Sequence, residues 1–174
     1  MENPKALSLI VIYGTAGAGK STRAELLHKE LSNTAHIGVD HIKRFISEFR
    51  EVASHQDVSL KIINAMAREY LRNNISVIVE QGMSASEIEV LEKIAQECEA
   101  KFFVYRLDAS REILAARVEE RTNRLNKPII SQEHIDTMYK THVENNYPST
   151  RVFDSGKVEA AEFVDVVLRD LGIL

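Results

Sequence analysis

The sequence predicts an α/β domain built on a parallel sheet with helices on both faces. Three observations carry this. Short apolar runs alternate with segments of helical periodicity along the whole chain. A glycine-rich turn at 14–21 joins the first run to the first helical segment. The runs are apolar at nearly every position, as strands covered on both faces must be.

The elements follow in order. Leu7–Tyr13 reads as the first strand, and 20–32 as a helix with Ala24, Leu27 and Leu31 on one face. A short second strand, Ala35–Val39, ends at Asp40. Helical segments follow at 41–52 and 57–73, the latter with Ile62, Ile63, Met66, Ala67, Tyr70 and Leu71 at helical spacing. The third strand, 76–79, ends at Glu80. The next helix, 85–98, carries Ile88, Leu91, Ile94, Ala95 and Cys98 on one stripe. The fourth strand, Phe102–Leu107, ends at Asp108, and a helix over 110–121 follows with Ser110 as its N-cap. Polar residues Thr122–Lys127 and Pro128 interrupt the pattern. A helix over 131–145, a short strand at 151–153 and a helix over 159–171 close the chain. Ligands of such sheets bind at the carboxyl ends of the strands. Gly14, Asp40, Glu80 and Asp108 should therefore share one rim.

With 174 residues and no internal repeat or linker, residues 1–174 are expected to form one domain. The net charge of −4 argues against duplex nucleic acid as a partner. Cys98 is the only cysteine, so an intramolecular disulfide is excluded; it sits on an apolar stripe and reads as a small core residue. The first six residues are too polar for a signal peptide, and no apolar run reaches the ~18 residues of a membrane span. A cytoplasmic protein is the simplest expectation. The six histidines show no metal-ligand spacing.

The turn Gly14-Thr15-Ala16-Gly17-Ala18-Gly19-Lys20-Ser21 fits the phosphate-binding pattern G-x-x-x-x-G-K-[ST]. Its glycines let the backbone turn N–H groups toward a phosphate. The helix that begins near Lys20 adds the positive end of its dipole. Lys20 supplies a mobile charge for the β- and γ-phosphates, and Ser21 a hydroxyl ligand for Mg²⁺. Residues 14–22, with Thr22 included, form the expected nucleotide site. An Asn-Lys-x-Asp guanine motif and a Leu-Ser-Gly-Gly-Gln transporter signature are both missing.

With this loop, Asp40, Glu80 and the Arg117/Arg121 region in place, the chain resembles the P-loop kinases of small molecules. It is most similar to the branch of zeta-toxin-like kinases and chloramphenicol phosphotransferase. The resemblance implies a five-stranded parallel sheet in the order 2-3-1-4-5. It implies Asp40, in Gly38-Val39-Asp40, as catalytic base. It implies Glu80-Gln81-Gly82 as the acid-glycine pair contacting the acceptor, with Gln81 as an extra residue. It implies a lid at about 117–130 whose arginines clamp the transferring phosphate.

Each of these residues also has a plain reading. Asp40 suits the N-cap of a helix over 42–49. Glu80 suits a solvent-facing acid at a strand end. Arg117, Arg121 and Arg124 fall at i, i+4 and i+7, which serves a phosphate clamp or a solvated face paired to Glu120. Arg44, one turn past Asp40, could reach an anionic acceptor.

The expected function is ATP- and Mg²⁺-dependent transfer of a γ-phosphoryl group to a hydroxyl, or a phosphate, of a small molecule. Lys20, Asp40, Arg117 and Arg121 are the expected catalytic residues. Asp40, Arg44, Glu80 and Gly82 are expected at the acceptor, and Ser21 at the metal. The alternative is a nucleotide-binding switch without a small-molecule acceptor. Neither the acceptor nor the oligomeric state follows from the residues.

Overall fold

The computed structural model describes residues 6–47, 54–82, 84–125, 132–144 and 147–174. In chain order the elements are β1 (Ser8–Gly14), α1 (Lys20–Glu30), β2 (Thr34–Gly38), α2 (Val39–Lys43), α3 (Ser54–Arg72) and β3 (Ser76–Gln81). Then come α4 (Ala85–Glu97), β4 (Lys101–Asp108), α5 (Arg111–Leu125), α6 (Gln132–Glu144), β5 (Arg151–Asp154) and α7 (Ala160–Asp170).

The five strands form one sheet in the order β2-β3-β1-β4-β5. Every pairing is parallel. The expected order is therefore observed. β1 lies at the centre, and all of its residues are buried. Its alternation sorts the core into two layers. Leu9, Val11 and Tyr13 pack with Val77 and Val79 under α3 and α4, against Ile63, Ala67, Leu71, Ile88 and Leu91. Ile10 and Ile12 face the other way with Ile78, Tyr105 and Leu107, under Ala24 and Leu27 of α1 and Phe163 and Val167 of α7.

Register fixes the rim. Glu80 lies beside Ile12 of β1 and Gly38 of β2, while Gln81 lies beside Tyr13. A Cβ on Gly38 would come 2.8 Å from Glu80 Oε1, so a side chain there would push the Glu80 carboxylate out of its present position. The central residues of the sheet thus deliver the phosphate loop and two polar side chains of β3 to one end.

Three sequence expectations change. α2 runs only over Val39–Lys43, so Asp40 lies inside its first turn and the N-cap is Gly38, with no side-chain cap bond. This removes the N-cap reading of Asp40. A strand that ends at Gly38 can pass directly into helical backbone, which leaves Asp40 two residues too late to cap. Second, Thr122 does not interrupt a helix, for α5 continues to Leu125 and buries Thr122. Polar residues such as Asn and Arg are tolerated in helices when one face packs. The lid expected at 117–130 is thus helical through Leu125, and its remainder lies outside the described residues. Third, the helix expected over 41–52 stops at Lys43 and gives way to turns at 44–47, while its part over 48–52 lies outside the described residues. Ser110 caps α5 as expected, its Oγ accepting from Ile113 N at 3.4 Å. Among the described residues no helix is long and apolar enough to cross a membrane.

Candidate active site

The phosphate loop is a tight turn in which Ala18 N donates to Thr15 O at 3.2 Å. Gly17 and Gly19 have φ of 81° and 79°. A side chain at either would strain the backbone, and Gly19 in this conformation is the N-cap of α1. α5 closes the loop from the side, since a Cβ on Gly17 would lie 2.9 Å from Leu114 O.

A cleft of about 480 Å³ opens above this loop at the carboxyl ends of β1, β2 and β3. Gly14, Thr15, Ala16, Lys20 and Ser21 form its floor. Asp40 and Lys43 of α2 line one wall, and Glu80, Gln81 and Gly82 another. Arg121 of α5 closes it from above, together with Thr137, Thr141 and His142 of α6.

The electrostatics centre on Lys20 and Glu80. Lys20 is half-buried, not freely exposed as its place in a loop suggests, and its Nζ donates to Thr15 O at 2.9 Å. Burial pushes its pKa below the ordinary lysine value; the Glu80 and Asp40 carboxylates oppose that shift, and Arg121 adds to it. Glu80 is buried and accepts a hydrogen bond from Ser21 Oγ at 3.1 Å. Its pKa is pushed up to about 7, chiefly by burial, with Lys20 and the Ser21 bond pulling it back. It is not the solvent-facing acid of the plain reading. A phosphate bound at Lys20 restores the missing counter-charge of a desolvated ammonium. The sequence matches the model of one protein family, described as an AAA domain, over residues 9–144.

The chain belongs to this AAA-domain family. No curated protein sequence matches it significantly. Solved structures share its fold at low identity. A candidate kinase from Chloroflexus aurantiacus superposes with a TM-score of 0.78 at 16% identity, covering 96% of this chain and 97% of that one. A sugar kinase from Janibacter sp. gives 0.69 at 16% identity, with 96% and 95% covered. A gluconokinase from Sinorhizobium meliloti gives 0.65 at 20% identity, with 99% and 94% covered.

In this AAA-domain chain the predicted residues are only partly brought together. Lys20, Ser21, Asp40, Glu80, Gly82 and Arg121 line the cleft. Arg117 does not. Its Nη1 and Nη2 donate to Gly17 O at 3.3 Å, Ser155 Oγ at 3.2 Å and Ser155 O at 2.9 Å. It braces the phosphate loop against the turn after β5. One helical turn separates Arg117 from Arg121, and that rise moves one guanidinium beside the loop and the other over it. Arg124 is exposed and outside the cleft lining. Arg44 is the exposed C-cap of α2, and Lys43 lines the cleft in its place. Asp108 is also diverted, for its Oδ1 takes His142 Nε2 at 2.6 Å and Arg106 Nε at 2.8 Å. Burial favours its neutral form, but those two hydrogen bonds outweigh it and hold the carboxyl below its ordinary range.

Sequence reasoning missed Gln81, Lys43, Thr137, Thr141 and His142. His142 reads as one of six unremarkable histidines, yet it is buried with its ring edge-on to Tyr13 at 5.8 Å. Nothing local marks Thr137, Thr141 and His142, because α6 meets the rim only through the tertiary fold. Gln81 did carry a signal: an amide directly after the last apolar residues of a central strand.

Proposed function

We propose that the protein is an ATP-dependent phosphotransferase that moves the γ-phosphoryl group to a hydroxyl of a small molecule. The observation that carries this reading is the convergence of Lys20, Ser21, Asp40, Glu80 and Arg121 on one cleft above a phosphate loop. The fold neighbours described as kinases agree with it. A nucleotide switch has no acceptor hydroxyl to deprotonate, so the Asp40 carboxylate in the same cleft as Lys20 and Ser21 favours transfer.

The loop N–H groups and Lys20 hold the β- and γ-phosphates. An acceptor hydroxyl beside Asp40 attacks the γ-phosphorus. A new P–O bond forms, the bond to the bridging oxygen breaks, the hydroxyl proton passes to the Asp40 carboxylate, and ADP leaves. Arg121 faces the charge spread over the transferring oxygens. The residues fit Mg²⁺. Ser21 Oγ and Glu80 Oε1 lie 3.1 Å apart at the loop, and the described residues offer no cluster of three or more acids, histidines or cysteines. That suits an ion that keeps phosphate oxygens and water as most of its ligands, with Ser21 as a direct ligand and Glu80 holding a bound water. When bound, the ion would neutralise charge on the phosphate oxygens.

Acceptor-dependent formation of ADP from γ-labelled ATP, with the label recovered on the acceptor, is the test. Lys20→Met should bring transfer down by at least about 10². Wild-type transfer rates in that variant would remove the phosphate-loop assignment.

A further inference from the structure

Gln81 is 4% exposed, and neither its Oε1 nor its Nε2 has a hydrogen-bond partner. Buried side-chain amides are rarely left unpaired at both ends, because desolvation without a partner is costly. Its place is distinctive. It lines the cleft above the phosphate loop, and it also lines a second cavity of about 340 Å³ between α3 and α4. Glu87 is the other residue shared by the two. That carboxylate already accepts from Ser84 N at 2.7 Å in the cap of α4. The amide therefore stands at the passage from the reacting centre into a side chamber.

The chamber presents Asn64 and Ser86 beside Gln81, against an apolar wall that includes Val90 and Leu91. A carboxamide and a hydroxyl each donate and accept. An acceptor's carboxylate or phosphate would satisfy Gln81 Nε2 and set a negative charge against Oε1. An ammonium would satisfy Oε1 and set a positive charge against Nε2. A hydroxyl, or a pair on adjacent carbons, satisfies both ends. Charge in the chamber itself agrees: its lining holds the acids Asp57 and Glu87 against the single cation Lys61, which disfavours an anionic acceptor body there.

We infer that Gln81 is the specificity-determining residue for an uncharged, polyhydroxylated acceptor whose body occupies the chamber between α3 and α4. The inference rests on the kinase reading above and narrows its acceptor to neutral polyols and sugars. The acceptor offers its reacting hydroxyl to Asp40 in the cleft and its remaining hydroxyls to Gln81, Asn64 and Ser86.

The test uses γ-labelled ATP with three probe sets: glycerol, ribose, glucose and myo-inositol; gluconate and ribose 5-phosphate; and glucosamine. Wild type and Gln81→Met are compared, with the affinity for a non-hydrolysable ATP analogue measured alongside. We expect transfer to a neutral probe. In Gln81→Met the acceptor KM should rise at least about tenfold while kcat falls by less, since a hydrogen-bonding site loses its partner. The ligand-free variant should melt at or above the wild-type temperature, because an apolar chain of similar length replaces two unpaired polar atoms. A lower melting temperature would make Gln81 a structural residue, and an unchanged KM would remove it as the reader. Preference for an anionic or cationic probe would overturn the acceptor class and leave the kinase reading standing. Bound nucleotide analogue without transfer to any neutral probe would overturn this inference, whereas failure to bind the analogue would remove the kinase reading itself.

Discussion

Ser21 Oγ donates to Glu80 Oε1 at 3.1 Å, joining the last residue of the phosphate-loop pattern to the rim of β3. The pair spans 59 positions of sequence. It brings a hydroxyl expected at the metal against a carboxyl whose pKa is pushed up to about 7 by burial. The site is thus built so that charge on Glu80 is costly until a cation arrives.

That cost sets a pH dependence. A carboxyl raised from its ordinary 4.5 to about 7 binds its proton more tightly in the folded chain. Its contribution to stability is fully present below about 4.5 and is lost as pH rises through about 7. The span corresponds to about 3 kcal/mol. Glu80→Gln should flatten the fall of the ligand-free melting temperature between pH 5 and 8. Parallel melting profiles for the two proteins would show that Glu80 titrates normally.

Asp40 separates chemistry from folding. It is exposed, and Gly38 rather than Asp40 is the N-cap of α2, so Asp40→Asn should leave the melting temperature unchanged. Turnover should fall by about 10²–10⁴ if the carboxylate takes the acceptor proton. Near wild-type turnover in a folded Asp40→Asn protein would pass the role of base to another group.

Arg117 and Arg121 should part company. Arg117→Ala deletes three hydrogen bonds that brace Gly17 against Ser155, a loss of about 1–3 kcal/mol, together with weaker nucleotide binding. Arg121→Ala touches an exposed side chain over the cleft, so melting should hold while kcat drops by about 10². Thermal melts and single-turnover rates on both variants check this, and equal effects on both would undo the division.

His142 ties α6 to the end of β4 through Asp108. Removing it takes away one of the two hydrogen bonds that hold the Asp108 carboxyl low, so in His142→Ala that carboxyl should titrate closer to its ordinary value. Carbon-detected NMR titration of the Asp108 carboxyl reports it. A titration curve identical to wild type would mean that Arg106 alone sets the charge.

The sequence by itself determined the sheet and the phosphate loop. Apolar runs at Leu7–Tyr13, 76–79 and Phe102–Leu107 read as buried strands, and Gly17, Gly19, Lys20 and Ser21 carry their geometry in local backbone and residue type. Burial of both faces is written into strand composition, and a tight turn is written into glycine. Which polar residues meet above the loop was decided only by tertiary structure. The rise of α5 sent Arg121 into the cleft and Arg117 to Ser155. The short α2 presented Lys43 in place of Arg44. Docking of α6 brought in His142 and diverted Asp108. Helical periodicity names the residues that share a face, but their destination depends on the element opposite. That choice rests on packing between segments far apart in the chain.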